Sequence, residues 1–213
     1  MVEEFIIYGS GGHAREVLFQ MRADGYDVVA MVDDRNPGGD LHQLPILSSP
    51  EARASHPHAL WVVAIGNPAT RRRVTVELAS HGVKFGSYIS RRAFIAPTAV
   101  LHHPVQIFAN AVLSDLCVVR SGAIVHFGCV ICHDSIIGEY STVCPGVTIA
   151  GNVAIGNEVW VGVGSSFRDG TTGQPLVVGD GAFVGAGSCV VGPIAAGTLV
   201  VGVPARPKVS GAV

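Results

Sequence analysis

The chain has 213 residues, a formal net charge of −2 and only 14% charged residues, against 27 glycines and a mean hydropathy of +0.44. With Lys84 and Lys208 as its only lysines it offers no basic surface to a phosphate backbone, which argues against nucleic acid as a partner. No stretch approaches the roughly 18–20 unbroken apolar residues of a membrane-spanning helix, and the chain is too apolar to be disordered.

The N-terminal M-V-E-E-F-I-I-Y-G is acidic and runs straight into a strand, unlike a signal peptide. Residues 5–8 read as a buried parallel strand, and Gly9-Ser10-Gly11-Gly12-His13-Ala14 follows at once. Ala14, Val17, Leu18 and Met21 fall at helical spacing, predicting a helix over 12–24. Strand, glycine loop and helix fit G-x-G-x-x-A, in which backbone N–H groups meet a pyrophosphate at the positive end of the helix. His13 either donates to a phosphate or caps the turn. A second strand, 28–32, ends at Asp33 and Asp34, about 20 residues on, where an acid takes a ribose hydroxyl. A redox dinucleotide enzyme normally carries two mononucleotide halves, and too little chain is present for that. A nucleotide-sugar fits better, and a tight turn without a ligand is the alternative. A strand at 61–65 leads through Gly66 to Asn67 as N-cap and Pro68 as first residue of a helix over 68–81, stopped by Gly82. This alternation predicts a Rossmann-like α/β domain over residues 1–90.

Beyond residue 90 the rhythm changes. An apolar residue recurs every six positions from Ile95 to Phe167, thirteen times without a slip. Small or β-branched residues such as Ala111, Ala123, Ser135 and Ser141 stand four places after the repeat residue, and Gly138, Gly156 and Gly162 directly after it. Neither a helix nor an ordinary strand sustains period six on one face, so a short strand and a turn must repeat and stack as a solenoid. The pattern breaks at R-D-G-T-T-G-Q-P (168–175), read as a protruding loop, and resumes at Val178, Val184 and Val190. The repeat resembles that of the bacterial hexapeptide-repeat acyltransferases, which implies a left-handed parallel β-helix with three hexads per coil over residues 91–213.

At eighteen residues per coil, His133 stacks above Asp115 and below Gly151, with Asp134 beside it, whereas His126 stacks between Phe108 and Cys144. A carboxylate orients an imidazole tautomer and raises its basicity, so His133 is the better general base. The odd count of five cysteines and the missing secretion signal point to free thiols in a reducing cytoplasm. Cys129 and Cys132 lack a second metal-ligand pair, and Cys117 and Cys129 fall at the small inward position, so no metal is expected.

Taken together, Y-G-S-G-G-H-A-R-E-V, M-V-D-D-R, V-V-A-I-G-N-P, C-H-D-S-I-I-G-E-Y-S-T-V-C-P-G-V-T-I-A-G-N-V-A-I-G and V-V-G-V-P-A-R resemble the bacterial nucleotide-amino-sugar N-acetyltransferases, including those acting on 4-amino-4,6-dideoxy sugars and those of sialic-acid operons. The resemblance implies a nucleotide-sugar on the α/β domain, acetyl-CoA held between subunits of a homotrimeric β-helix, and no metal or membrane. It places sugar-nucleotide contacts on Gly11, Gly12, His13, Asp33, Asp34 and Gly66, and the base on His133 with Asp134 beside it. The acetyl-CoA groove falls on Gly151, Val163 and Gly185, with Arg206 near the CoA phosphate. The chain departs from the family at three positions. His126 stands near the sugar where asparagine is common, Cys132 stands where a carboxylate often precedes the base, and Thr142 stands where a histidine meets acetyl-CoA. O-acetylation, a 3-amino-sugar acceptor and a non-catalytic nucleotide-sugar-binding trimer remain the alternatives.

Overall fold

The structure is a computed structural model that describes residues 3–208, so the outer ends of the two expected domains, residues 1–2 and 209–213, lie outside the described residues. The chain forms two compact units, Met1–Ser90 and Arg91–Val213. Among the described residues no helix is long and apolar enough to cross a membrane.

The first unit is a five-stranded sheet of order β3-β4-β2-β1-β5, comprising β1 (Glu4–Tyr8), β2 (Asp27–Val32), β3 (Asp40–Leu41), β4 (Leu44–Leu47) and β5 (Leu60–Val63). The pairings are parallel except for the β3–β4 hairpin. Both faces of β1 are covered, with Phe5, Ile6 and Ile7 buried in succession. Ile6 joins Val32, Trp61, Val74 and Leu78 in one core cluster, while Ala14, Val17, Leu18 and Met21 of α1 (Gly12–Ala23) are buried too. Helix α3 (Pro68–Ser80) begins as its sequence dictates, with Asn67 Oδ1 accepting the Thr70 N–H at 2.9 Å and Pro68 in the first turn.

The sequence reading missed α2 (Ser49–Ser55) because seven residues give no periodic stripe, yet its start signal is written in S-S-P-E. Ser48 and Glu51 form a reciprocal capping box, and Pro50 stands in the first turn, where its missing N–H costs no helical bond. Ser48→Ala should cost about 1 kcal/mol, measured as a lower urea midpoint. An unchanged midpoint would show the cap to be dispensable.

The second unit is a left-handed parallel β-helix with three walls. The first wall stacks strands from Phe94–Ile95 to Cys189–Val190, the second from Val100–Leu101 to Leu176–Val178, and the third from Gln106–Ile107 to Leu199–Val201, closed by antiparallel Arg206–Pro207. In the two-residue strands from Gln106–Ile107 to Cys189–Val190 the second residue points inward. Ile107, Leu113, Val119, Val125, Ile131, Ile137, Val143, Ile149 and Val161 are fully buried. The corner residue recurs in the left-handed region every six positions, at Asn110, Leu116, Gly122, Gly128, Asp134, Tyr140, Gly146, Asn152, Glu158 and Gly164. Glycine is favoured there because it bears no Cβ penalty.

The small inward residues also share a bond. Ser135 Oγ donates to the Ala150 carbonyl at 3.0 Å and Ser141 Oγ to that of Gly156 at 2.7 Å. The Cys117 and Cys129 thiols do the same toward Cys132 at 3.0 Å and Cys144 at 3.1 Å. All five cysteines are free. Burial pushes the thiols of Cys129 and Cys144 up to about 11 and about 12, so both are protonated, inert fillers of the solenoid.

Candidate functional site

In the first unit, the glycine loop between β1 and α1 opens onto a crevice of about 380 Å³, bordered by Tyr8, Gly9, Asp33, Asp34, Arg73 and Glu77. Gly9 has φ +123°, and a Cβ there would come within 3.0 Å of the Ala64 carbonyl oxygen, so the turn itself requires glycine. Gly11 and Gly12 differ. A Cβ on Gly11 would meet nothing within 4 Å and one on Gly12 only the tip of Arg15 at 3.9 Å. Their bareness serves no internal packing and leaves the backbone open to a ligand. Gly11 is the N-cap of α1, whose first turn carries no acidic side chain, so its positive end is not neutralised by one. His13 lies in that turn with Nδ1 3.9 Å from Glu16.

The two acids after β2 are tied into the loops. Asp33 accepts a short bond from Ser10 Oγ in the glycine loop and the N–H groups of Arg35 and Asn36 at 3.0 and 3.2 Å. These bonds, with Ser10 the largest cause, hold its carboxyl below the usual range. Asp34 accepts the Tyr8 hydroxyl at 3.0 Å and both the N–H and hydroxyl of Ser49 at 2.7 Å. Burial, then the bond to Asp34, pushes the Tyr8 phenol up to about 12. Gly66 sits on the β5–α3 loop, whose carbonyls at Ile65 and Gly66 accept the Arg71 guanidinium at 2.6 and 2.9 Å. Arg71 is 1% exposed. Sequence reasoning missed it, along with Tyr8, Arg73 and Glu77. The signal for Arg71 was an arginine four residues after the cap Asn67, placed to reach back to the loop.

In the second unit, His133 and Asp134 occupy one corner between the first and second walls, Asp134 at φ +57°. His133 Nδ1 lies 2.8 Å from Asp134 Oδ2, and both side chains are about half exposed, at 57% and 46%. With Nδ1–H donated to the carboxylate, the Nε2 lone pair is left to act as a base. One coil above, a Cβ on Gly151 would lie 2.5 Å from His133 Cε1 and 2.6 Å from Nε2, so only glycine leaves that side of the ring clear. The Gly151 N–H donates to Asp169 Oδ1 at 3.2 Å, from the 168–175 segment, which closes on itself through Thr171 and Gln174. Asp115, the other stacking candidate, has its carboxylate engaged by the Thr98 hydroxyl in a short bond.

The remaining expected contacts fall elsewhere on the solenoid. Thr142 lies in the third wall, and Val163 on the corner after it, 53% exposed. The Gly185 N–H donates to the Val200 carbonyl at 2.8 Å, so this amide, expected in the acetyl-CoA groove, is spent within the wall. Arg206 is exposed and donates to the Ala205 carbonyl at 3.0 Å. The structure therefore groups His133, Asp134 and Gly151 on one corner and Thr142, Val163, Gly185 and Arg206 on or beside the third wall.

His126 is not brought to the His133 corner. Its ring stacks on Phe108 at 4.2 Å with an interplanar angle of 14° and tilts against Phe127, and the residue is 6% exposed. Burial pushes the imidazole down from 6.5 to about 4. Between those values the unfolded chain binds a proton that the folded chain does not. Stability is thus complete above pH 6.5 and is lost as pH falls toward 4, where the loss reaches about 3 kcal/mol. Urea midpoints of wild type and His126→Phe at neutral and acid pH check this. The variant should lose less on acidification, and equal losses would clear His126.

Residues 4–78 match the family described as the PglD N-terminal domain. The whole chain is similar to a GDP-perosamine N-acetyltransferase of Escherichia coli O157:H7, 29% identical over 215 residues and covering 94% of each. Among solved structures it is similar to the acetyltransferase domain of PglB from Neisseria gonorrhoeae in complex with acetyl coenzyme A. The identity is 30%, the coverage 97% of this chain and 99% of that one, and the TM-score 0.87. PerB from Caulobacter crescentus, in complex with CoA and GDP-perosamine, is 27% identical, covers 98% of both chains and superposes with a TM-score of 0.86. With the glycine-loop crevice in one unit and the His133 corner in a β-helix, the chain belongs to the nucleotide-amino-sugar N-acetyltransferase family of hexapeptide-repeat proteins.

Proposed function

We propose that this protein transfers the acetyl group of acetyl-CoA to the amino group of a nucleotide-linked 4-amino-4,6-dideoxy sugar, with His133 as general base. The observation that carries this reading is the His133–Asp134 pair, 2.8 Å apart on an exposed corner whose roof is a glycine. Gly11, Gly12, His13 and the α1 N-terminus bind the pyrophosphate. Asp33 and Asp34 order the loops around the ribose, and Arg71 holds Gly66 in place.

Acetyl-CoA is already activated, so no covalent enzyme intermediate is needed, and holding both substrates together turns a two-body encounter into a positioned attack. The amine nitrogen bonds to the thioester carbon as His133 Nε2 takes its proton. The tetrahedral intermediate then collapses, the C–S bond breaks, and the leaving CoA sulfur takes that proton back from the imidazolium. Asp134 fixes the tautomer and stabilises the imidazolium. A backbone amide of the solenoid corner stabilises the oxyanion.

The working unit is a homotrimer in the reducing cytoplasm, with acetyl-CoA between subunits. Two features support this. The expected acetyl-CoA contacts sit at the His133 corner and around the third wall, an arrangement suited to one corner meeting another copy's wall. In addition, the second wall presents an outward apolar column of Val100, Val118, Ile136, Ala154 and Val177. The test is thiol release from acetyl-CoA with a nucleotide-linked 4-amino sugar, alongside the mass in solution. Release of one thiol per acetylated amine by a trimer is expected. Nucleotide-sugar binding without thiol release would overturn the enzyme reading, and an active monomer would overturn the intersubunit site.

A further inference from the structure

The 168–175 loop bears on which acceptor reacts at the catalytic corner, an inference that rests on the acetyltransferase reading above. The wall register puts His133, Gly151 and Asp169 at one place on three successive coils, since Val130 pairs with Thr148 and Thr148 with Ser166. Gly151 is bare, and groups from both sides close on it. From below, the imidazole fills the space a Cβ would take, with Nε2 2.6 Å from that point. From above, Asp169 Oδ1 accepts the Gly151 N–H at 3.2 Å, and the Gly170 N–H donates to the Gly151 carbonyl at 3.0 Å. Bond lengths of about 1.5 Å along N–Cα–Cβ then keep Oδ1 within about 9 Å of Nε2.

Backbone contacts pin the loop in this position. The Leu176 N–H donates to the Asn152 carbonyl at 3.0 Å, and Thr171 and Gln174 exchange N–H bonds at 3.0 and 2.9 Å. A Cβ on Gly170 would stand 2.1 Å from the Asn152 carbonyl oxygen, so only glycine lets the loop leave the wall this closely. Asp169 itself is exposed, and its charge is not spent. Its neighbour Arg168 donates Nε–H to the Val191 carbonyl at 2.5 Å. Among the described residues no ion pair engages Asp169 and no hydrogen bond engages its Oδ2.

An amine and a hydroxyl differ in what they offer two acceptors at once. One hydrogen of the nucleophile faces His133 Nε2, which takes it. A hydroxyl has no second hydrogen, so a carboxylate beside it meets oxygen lone pairs and repels them. An amine keeps another N–H for that carboxylate. Charge acts in the same sense. A primary amine, like an α-amino group with its pKa of about 8, arrives largely as ammonium and sheds one proton to water before attack. Its nitrogen turns positive again as it bonds to the thioester carbon, until His133 takes the proton, while the carbonyl oxygen turns negative. A carboxylate attracts the first charge and repels the second. Asp169 therefore belongs on the nitrogen side, and the oxyanion takes an amide other than that of Gly151. We propose that Asp169 Oδ2 accepts the second N–H of the acceptor amine, and that this contact makes the corner acetylate amines and reject hydroxyls.

Calorimetric titration of the full chain with a nucleotide-linked 4-amino-4,6-dideoxy sugar and with its 4-hydroxy counterpart tests this directly. Wild type should bind the amine about 10- to 100-fold more tightly, the worth of a charge-assisted hydrogen bond, and Asp169→Asn should abolish that preference. Asparagine keeps an oxygen for the Gly151 N–H but carries no charge, and its NH₂ can meet a hydroxyl oxygen. The melting temperature and the KM for acetyl-CoA should therefore stay at their wild-type values while the KM for the amino sugar rises. Equal wild-type affinity for amine and hydroxyl, an undiminished preference in the variant, or a raised KM for acetyl-CoA alone would overturn the proposal. Thiol release separates it from the reading beneath it. Undiminished thiol release from the amino sugar by Asp169→Asn, at wild-type KM, defeats the Asp169 assignment alone. A preference that disappears with Asp169 in a protein releasing no thiol defeats the acetyltransferase reading alone.

Discussion

His133→Ala is expected to lower turnover by about 10²–10⁴-fold, the usual share of a general base. The imidazole is the one group on its corner with a free basic nitrogen, because Asp134 engages Nδ1 at 2.8 Å and Gly151 leaves the ring open near Nε2. Because the side chain is 57% exposed and lies outside the inward ladder, its loss should leave the melting temperature near that of wild type. Thiol release from acetyl-CoA at saturating substrate measures the effect. Wild-type turnover in a folded His133→Ala protein would remove His133 from the mechanism. Gly151→Ala supplies an orthogonal check. Its Cβ would press on the movable imidazole tip at 2.5 Å rather than on backbone, so it should impair turnover more than stability.

Gly138→Ala should be severely damaging to the fold. A Cβ there would stand 2.1 Å from the Gly156 carbonyl oxygen and 2.7 Å from the Asn157 nitrogen, both backbone atoms of the next coil. That coil is fixed in turn by the Gly156 N–H bond to the Val178 carbonyl at 2.8 Å, so the clash is relieved only by opening the ladder. We expect a loss of about 3 kcal/mol or more. Gly128→Ala is the control. It lies at φ +62° with nothing within 4 Å of its Cβ, so only the left-handed penalty of about 1–2 kcal/mol applies. Urea midpoints in the order wild type, Gly128→Ala, Gly138→Ala are expected, and a reversal of the two variants would refute the close-approach argument.

The two variants also explain the glycine excess. One set of glycines lets backbones of successive coils meet, as at Gly138, Gly156 and Gly162, and another occupies left-handed corners, as at Gly122, Gly146 and Gly164. The first set was visible as glycine directly after the repeat residue. The second was obscured because Asn110, Leu116, Asp134, Tyr140, Asn152 and Glu158 take the same corner conformation without being glycine. Asn110, Asp134 and Asn152 are of the types that tolerate this conformation best after glycine, whereas nothing in residue type marks Leu116, Tyr140 and Glu158.

The order of residues alone dictates the solenoid, because a period of six can bury its apolar column only by stacking coils. It also places His133 under Gly151 and His126 between Phe108 and Cys144, because stacking in a regular coil reduces to subtraction. The helices α1 and α3 were legible from periodicity and caps, whereas the short α2 was not. Where the side chains point was settled by the folded arrangement. It gave His133 to Asp134 rather than Asp115, spent the Gly185 amide on Val200, and buried His126 in an aromatic stack. It also brought α3 to the glycine-loop crevice, joining Glu77 and Arg73 to residues some sixty positions earlier in the chain. Periodicity records which residues share a face. Hydrogen-bond partners and crevice walls depend on rotamers and on elements distant in sequence, which no local pattern encodes.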